Sequence, residues 1–308
     1  MNQHIRTIAI LGAGAVGSYL VMGLSDKYKE NLWVIADGER KDRLAKNGLN
    51  INDKVYSLHI KTPAEAHGVD LLFVCTKYTQ LRDSLPDIET ITDKHTMVVS
   101  LLNGVDSEEL IGQRIGMEHM IYSLIRIASH RIGNSIHFSL PKGYNGIYIG
   151  IPNQPACQDP RLAAIAEIFA DTPVTLHLSD DILLDMWDKF GLNVSRNLPQ
   201  AILGVGIGVY DDSIYADAIM RRMRHEVVLV ANAKGIPLTD EFKAAKWLPS
   251  QRYSTLQDLD AHRHTEIDMF SGALIRMGKE VGVECPYNEM TYHMIKALEE
   301  KNDGKFDY

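Results

Sequence analysis

The chain has 308 residues, of which 45% are hydrophobic and 23% charged, with a formal net charge of −8. This length exceeds the usual single core, so two domains are expected. The acidic balance argues against nucleic acid and anionic membrane as partners, since both select a basic footprint. In chain order, apolar runs at 5–11, 32–36, 71–75 and 97–102 predict buried parallel strands. Helical patterns fall between them at 15–29, Gly38–Asn47, 79–86 and Ser107–Ile115. Leu49–Ile51 and 55–60, joined at Asn52-Asp53, predict a hairpin, with more strand at 120–129 and 135–139. Asn145-Gly146 before 147–151 predicts a second hairpin turn, and a helix at 161–170 with a strand at 174–178 closes this half. Beyond residue 179 nearly everything predicts helix, broken near 204–208, 235–237 and 282–286. The expected domains are therefore 1–178, an α/β unit, and 179–308, a helical one.

Three cysteines, Cys75, Cys157 and Cys285, are odd in number and scattered. They spell neither a disulfide framework nor a metal site, and they fit a reduced cytoplasmic protein. The apolar stretch 8–24 carries Gly12, Gly14, Gly17 and Gly23 and no convincing basic leader, which favours strand–turn–helix over a signal sequence. No other stretch approaches the length of a membrane span.

The first strand ends in Gly12-x-Gly14-x-x-Gly17 and passes directly into a helix. A dinucleotide pyrophosphate requires that order. Gly12 permits the tight turn, Gly14 admits the phosphates to the backbone, and Gly17 lets helix and strand pack closely. The N–H groups of the first helical turn, at Ala15 and Val16, meet the negative charge. A glycine-rich turn without a ligand is the plainer alternative.

The second half holds two polar anomalies. On a helix from Ile182, the residues Ile182, Met186, Trp187, Phe190, Val194 and Leu198 form an apolar arc of roughly 160°. Asn193 and Asn197 fall inside it, at about 20° and 60° from Ile182, and Lys189 sits at its edge. Asp185, Asp188, Ser195 and Arg196 take the opposite side. Amides on a buried face need partners, because an unsatisfied polar group costs about 1–3 kcal/mol. Neighbouring helices satisfy them, or the three polar groups line a cleft and address a ligand. Further on, a helix is expected to reopen near Thr265 with Asp268 in capping position. Glu266 then lies among Phe270, Ala273, Leu274 and Met277, where a carboxylate needs a cation, a donor or a substrate unless it serves only the helix N-terminus. The nearby His262 and His264 are expected to be a solvated pair, and no metal site is expected.

Six motifs in order make the chain resemble the ketopantoate reductase (2-dehydropantoate 2-reductase) family. They are Gly12-x-Gly14-Ala-Val-Gly17, Cys-Thr-Lys77-Tyr-Thr-Gln80, Leu-Leu-Asn103-Gly104, Trp187-Asp-Lys189 with Asn193 and Asn197, Ser254-x-Leu-Gln-Asp, and Arg263-x-Thr265-Glu266-Ile-Asp268. The resemblance implies a Rossmann-type domain followed by an all-α domain, with the active site in the cleft between them. It implies reduction of 2-dehydropantoate to (R)-pantoate by NADPH, in pantothenate biosynthesis. It further implies Lys189 as general acid and Glu266 as its partner in orienting the ketone or hydroxyl. Asn193, Asn197, Ser254 and Lys77 would bind substrate. Gly12, Gly14, Ala15, Val16, Gly17, Asp37, Arg40, Lys77 and Asn103 would bind cofactor. The implied partner is a small 2-oxo acid, and a homodimer is left open.

Three departures stand out. Asp37 occupies the place where many members carry an arginine for the 2′-phosphate of NADP; an acid there suits the 2′-hydroxyl of NAD, although Arg40, Lys41 and Arg43 follow closely. The family's Asn-Pro-Leu-Thr-Ala is here Asn197-Leu-Pro-Gln-Ala201, and Gln251 replaces an expected asparagine. Two rivals are therefore kept: a reductase of another 2-oxo acid or an imine, NADH-dependent in one form, and a non-catalytic dinucleotide-binding sensor.

Overall fold

A computed structural model describes residues 4–138, 145–242, 248–306 and 308. Residue 139 of the expected strand 135–139 and residues 243–247 of the helical half lie outside them. Two compact units emerge, Met1–Leu183 and Leu184–Tyr308.

The first unit is built on an eight-stranded sheet in the order β12-β11-β8-β7-β6-β1-β2-β5. Its strands are β1 (Ile8–Leu11), β2 (Leu32–Ile35), β5 (His59–Lys61), β6 (Leu71–Val74), β7 (Met97–Ser100), β8 (Met120–Arg126), β11 (Gly146–Gly150) and β12 (Leu176–Leu178). The six strands from β5 to β8 run parallel, whereas β11 runs antiparallel to β8 and parallel to β12. Side-chain alternation explains why both faces are apolar. Ile8, Ile10, Leu71, Phe73, Met97 and Val99 join one core with α1 (Ala15–Tyr28) and α5 (Pro160–Phe169). Ala9, Leu11, Leu72, Val74 and Val98 join the other with α3 (Tyr78–Ile91) and α4 (Ser107–Ile115). Helical crossovers between the parallel strands cover each face.

The expected hairpin at Asn52-Asp53 forms between β3 (Leu49–Ile51) and β4 (Lys54–Tyr56), with positive φ at both turn residues. Its second strand stops at Tyr56, and β5 departs to pair with β2. The hairpin expected at Asn145-Gly146 is corrected: β11 pairs with β8, and the tight turn lies at Gly133-Asn134 between β9 (Ser129–Ile132) and β10 (Ser135–Phe138). Strands β4-β3-β10-β9 make a second, four-stranded sheet. Helix α2 (Gly38–Asn47) begins at Asp37, whose carboxylate accepts from Gly38 N at 2.7 Å. Helix α3 outruns its expected end, passing through Pro86 to Ile91, because Leu81, Ile88 and Ile91 stay buried on one stripe.

The second unit is helical: α6 (Ile182–Leu192) leads through a π-helical turn at Asn193–Asn197 into α7 (Leu198–Leu203). It continues through α8 (Val209–Asp212), α9 (Ile214–Ala233), α10 (Ser254–Asp260), α11 (Ser271–Val281) and α12 (Pro286–Asn302). The helix expected to open near Thr265 opens instead at Ser271, and 265–270 is a run of turns. No described helix is long and apolar enough to cross a membrane.

Candidate active site

The parallel register sets β1 between β2 and β6, with Leu11 level with Ile35 and Val74, and Val74 level with Ser100. The segments carrying Gly12, Asp37, Lys77 and Asn103 therefore leave neighbouring strands at the same, carboxyl, edge. Successive strands depart to opposite sides of β1 here, which is where such sheets take ligands. Gly12 has φ +109°, and a Cβ on it would lie 2.6 Å from the Cys75 carbonyl and 2.8 Å from Thr76 N. A Cβ on Gly17 would lie 2.0 Å from Gly12 O. Both glycines are thus demanded by contact within the unit. Gly14 differs: its Cβ would meet nothing within 4 Å, and it opens α1 at Ala15 and Val16 without a side-chain cap. An open backbone cradle at an uncapped helix start fits a dinucleotide pyrophosphate.

Asp37 and Arg40 are exposed at the start of α2. Lys41 meets Glu65 at 3.1 Å, and Glu65 also accepts from Thr62 N at 2.8 Å. Those contacts, the Thr62 N–H first, hold the Glu65 carboxyl down at about 2. Lys77 is exposed at the N-cap of α3, and the next residue, Tyr78, donates to Asp106 at 2.6 Å. That bond ties the start of α3 to the loop of half-buried Asn103 and Gly104 (φ +97°). Behind the loop, Ser107 donates to Glu108 at 2.9 Å and meets Ser100 Oγ at 2.8 Å. Glu108 is 1% exposed, and burial pushes its carboxyl up to about 8. Nothing in the sequence pattern singled it out.

In the helical unit the π turn reorganises the expected helical wheel. Asp188 and Ser195, expected on the polar side, are both buried: Asp188 lies upstream of the π turn and meets Arg224 at 3.2 Å, whereas Ser195 lies inside the turn, where the wheel of 3.6 residues loses phase. Ser195 Oγ donates to Gly191 O at 2.7 Å, and Tyr210 donates to Arg196 O at 2.5 Å. Lys189 and Asn193 are half-buried. Asn197 is 1% exposed; its Nδ2 reaches Ser254 Oγ at 3.4 Å and its Oδ1 accepts from Thr255 N at 3.2 Å. Gln200 repeats the device, donating to Gln251 O and accepting from Tyr253 N, both at 2.8 Å. The two amides bind the π turn and α7 to the start of α10, and so bring exposed Ser254 to the turn that carries Asn193. Of the two residues expected on the apolar arc, Asn197 finds its partners within the unit.

Glu266 is half-buried in the run of turns before α11. Thr265 beside it does not cap a helix: its N–H and hydroxyl donate to Glu299 at 2.7 and 2.6 Å. Asp268 does not cap either, accepting from Tyr292 at 2.7 Å and Lys296 at 2.9 Å. Helix α12 thus grips the Glu266 segment on both sides, and Glu226 in turn caps α12 by accepting from Tyr287 N and Asn288 N. His264 lies exposed beside Asp303 at 3.0 Å, and among the described residues no cluster of three or more such groups could hold a metal.

A parallel sheet with an open glycine cradle at its switch point, followed by a helical unit presenting a lysine, amides and a carboxylate, defines a two-unit dehydrogenase of the NAD(P)-dependent class. The chain belongs to the ketopantoate reductase family: residues 8–154 match the family described as Ketopantoate reductase PanE/ApbA, and residues 181–299 its C-terminal counterpart. It is similar to the 2-dehydropantoate 2-reductases of Streptococcus pyogenes (27% identical, 95% of this chain and 97% of the relative) and Pyrococcus horikoshii (28%, 96% and 99%). Among solved structures it resembles D-mandelate dehydrogenase in ternary complex with NADH and anilino(oxo)acetate, at 26% identity and TM-score 0.81, covering 96% of this chain and 99% of that one.

Proposed function

We propose that the chain reduces the ketone of a 2-oxo acid, 2-dehydropantoate to (R)-pantoate, with Lys189 as general acid. When bound, the reduced nicotinamide supplies a hydride to the ketone carbon. Negative charge gathering on the ketone oxygen is met by Lys189, which donates the proton. Glu266 orients the ketone and holds the ammonium. Asn193 and Ser254 hydrogen-bond the substrate, while buried Asn197 positions them. Lys77 offers a cation to the acid group, and Asn103 anchors the cofactor ribose or the substrate near the nicotinamide. Gly12, Gly14, Ala15, Val16 and Gly17 receive the pyrophosphate.

The observation carrying this reading is the Asn197 tie: one buried amide joins the turn of Asn193, four residues beyond Lys189, to Ser254. The test is a panel of 2-oxo acids, 2-dehydropantoate and an aryl-2-oxoacetate among them, assayed with NADH and NADPH in parallel. The highest kcat/KM on 2-dehydropantoate is expected; an aryl substrate ahead of it overturns the substrate, and no turnover overturns the enzyme reading in favour of a dinucleotide sensor.

A second reading concerns the cofactor. NADPH is what the family resemblance implies, yet Asp37 stands at the end of β2 and Glu65 neutralises Lys41. Two carboxylates there disfavour a 2′-phosphate and favour NADH, with Arg40 and Arg43 left as the cations on α2 that would serve NADPH. The cytoplasm remains the proposed compartment, and a homodimer the proposed assembly.

A further inference from the structure

Among the described residues Arg224 has the largest fully buried side chain, 1% exposed in the middle of α9. An unpaired guanidinium there would be strongly destabilising, and its partners are specific. Nη2 reaches Asp188 Oδ1 at 3.2 Å and Nη1 reaches the Asp188 carbonyl at 3.3 Å. Nη2 also donates to Thr239 O at 2.9 Å, and Nε reaches the same carbonyl at 3.2 Å. One planar fork therefore holds both the side chain and the backbone of the residue next to Lys189. Asp188 from α6, Arg196 from the π turn and Asp240 from the segment after α9 are the charged groups that act on it. Room for the fork comes from Gly191, where a Cβ would lie 2.2 Å from Arg224 Nη1.

We infer that Arg224 is a positioning residue for the reaction: through Asp188 it fixes the turn of α6 that carries Lys189, and Gly191 exists to admit it. The inference rests on the reading of Lys189 as the acid. A lysine carries its three donors on one point charge, so it does not reproduce the planar fork that spans the Asp188 carboxylate and carbonyl.

The experiment compares Gly191→Ala, which displaces the guanidinium while leaving every charge in place, with Arg224→Lys and Asp188→Asn. Circular dichroism and thermal melting identify the variants that fold. In those, kcat is expected to fall about tenfold to a hundredfold while KM changes by about twofold or less. The basic limb of the kcat–pH profile should move with it. Lys189 is also followed directly, by NMR of ¹³C-methylated lysines assigned with Lys189→Arg; its titration midpoint should shift by about half a pH unit or more in Gly191→Ala. Unchanged kcat and an unchanged Lys189 titration in folded Gly191→Ala and Arg224→Lys overturn the inference. If Lys189→Ala turns over normally, it is the acid assignment that fails, and the NMR titration still decides whether the fork governs that ammonium.

Discussion

Glu299 accepts both the backbone N–H and the hydroxyl of Thr265, at 2.7 and 2.6 Å, with its carboxylate 3% exposed. Removing the acceptor leaves two buried donors unmet on the segment that presents Glu266. Glu299→Ala should destabilise the protein by about 1–3 kcal/mol. Thr265→Val, which removes only the hydroxyl, should cost less. Denaturant unfolding measures both, and equal effects would show that the hydroxyl contact dominates.

Lys189→Ala should lower kcat by about 10²-fold or more, the lower end for acid–base groups. KM should change far less. Steady-state kinetics on the best 2-oxo acid reads this directly, and near-normal turnover would refute the assignment.

The glycines of the first turn should separate by function. Gly17→Ala forces a Cβ to 2.0 Å from Gly12 O and should cost about 1–3 kcal/mol or more, seen in thermal melting. Gly14→Ala meets only open space, so stability should hold while dinucleotide affinity falls. Titration of intrinsic fluorescence with NADH checks the second half.

Asp37→Arg should turn the cofactor preference toward NADPH. Losing a charge-assisted bond to a ribose hydroxyl costs about 1.5–3 kcal/mol, on the order of tenfold or more in kcat/KM for NADH. The ratio of kcat/KM for the two cofactors is the measurement; a ratio unmoved by the substitution removes Asp37 from the site.

Glu108 makes stability fall with pH. Its carboxyl is raised from 4.5 to about 8 by burial, so between those values the unfolded chain releases a proton that the folded chain keeps. The stability linked to the neutral acid is complete below about 4.5 and is lost as pH rises toward 8. Glu108→Gln keeps a neutral side chain of the same shape. It should therefore flatten the decline between pH 5 and 8 in urea unfolding, and a slope equal to wild type would contradict the buried neutral state.

Much of the first unit was legible because punctuation and burial agree there. Asp37 before Gly38 marks the start of α2, and Gly116 after Ile115 the end of α4, so both helices have the expected bounds. Pro86 misled, since the apolar stripe of α3 outweighs one missing N–H. Pairing between β3 and β10 was not legible, because it joins residues about as far apart as Asn50 and Ser135 with no local signal. In the second unit the anomaly at Asn193 and Asn197 was visible, but its resolution was not. A π turn leaves no mark in composition, and Ser195 goes inside within it, while Asp188 upstream goes inside to meet Arg224 from α9. Arg224 did carry a signal: it is a lone cation among Met220, Met223, Val227 and Val230, which a wheel drawn for α9 exposes. The expected helix start around Glu266 does not form; Thr265 and Asp268 beside it are held by α12 instead.

The widened turn at Asn193–Asn197 makes chain length itself a constraint. Tightening it to ordinary α-helical spacing at unchanged length would leave one residue too many for the turn and swing everything downstream by about 100°. Asn197 and Gln200 would then face away from Thr255 and Tyr253, and the latch on α10 would open although no polar group had been removed. Substitutions that remove a polar group here test chemistry; those that only tighten the turn test phase.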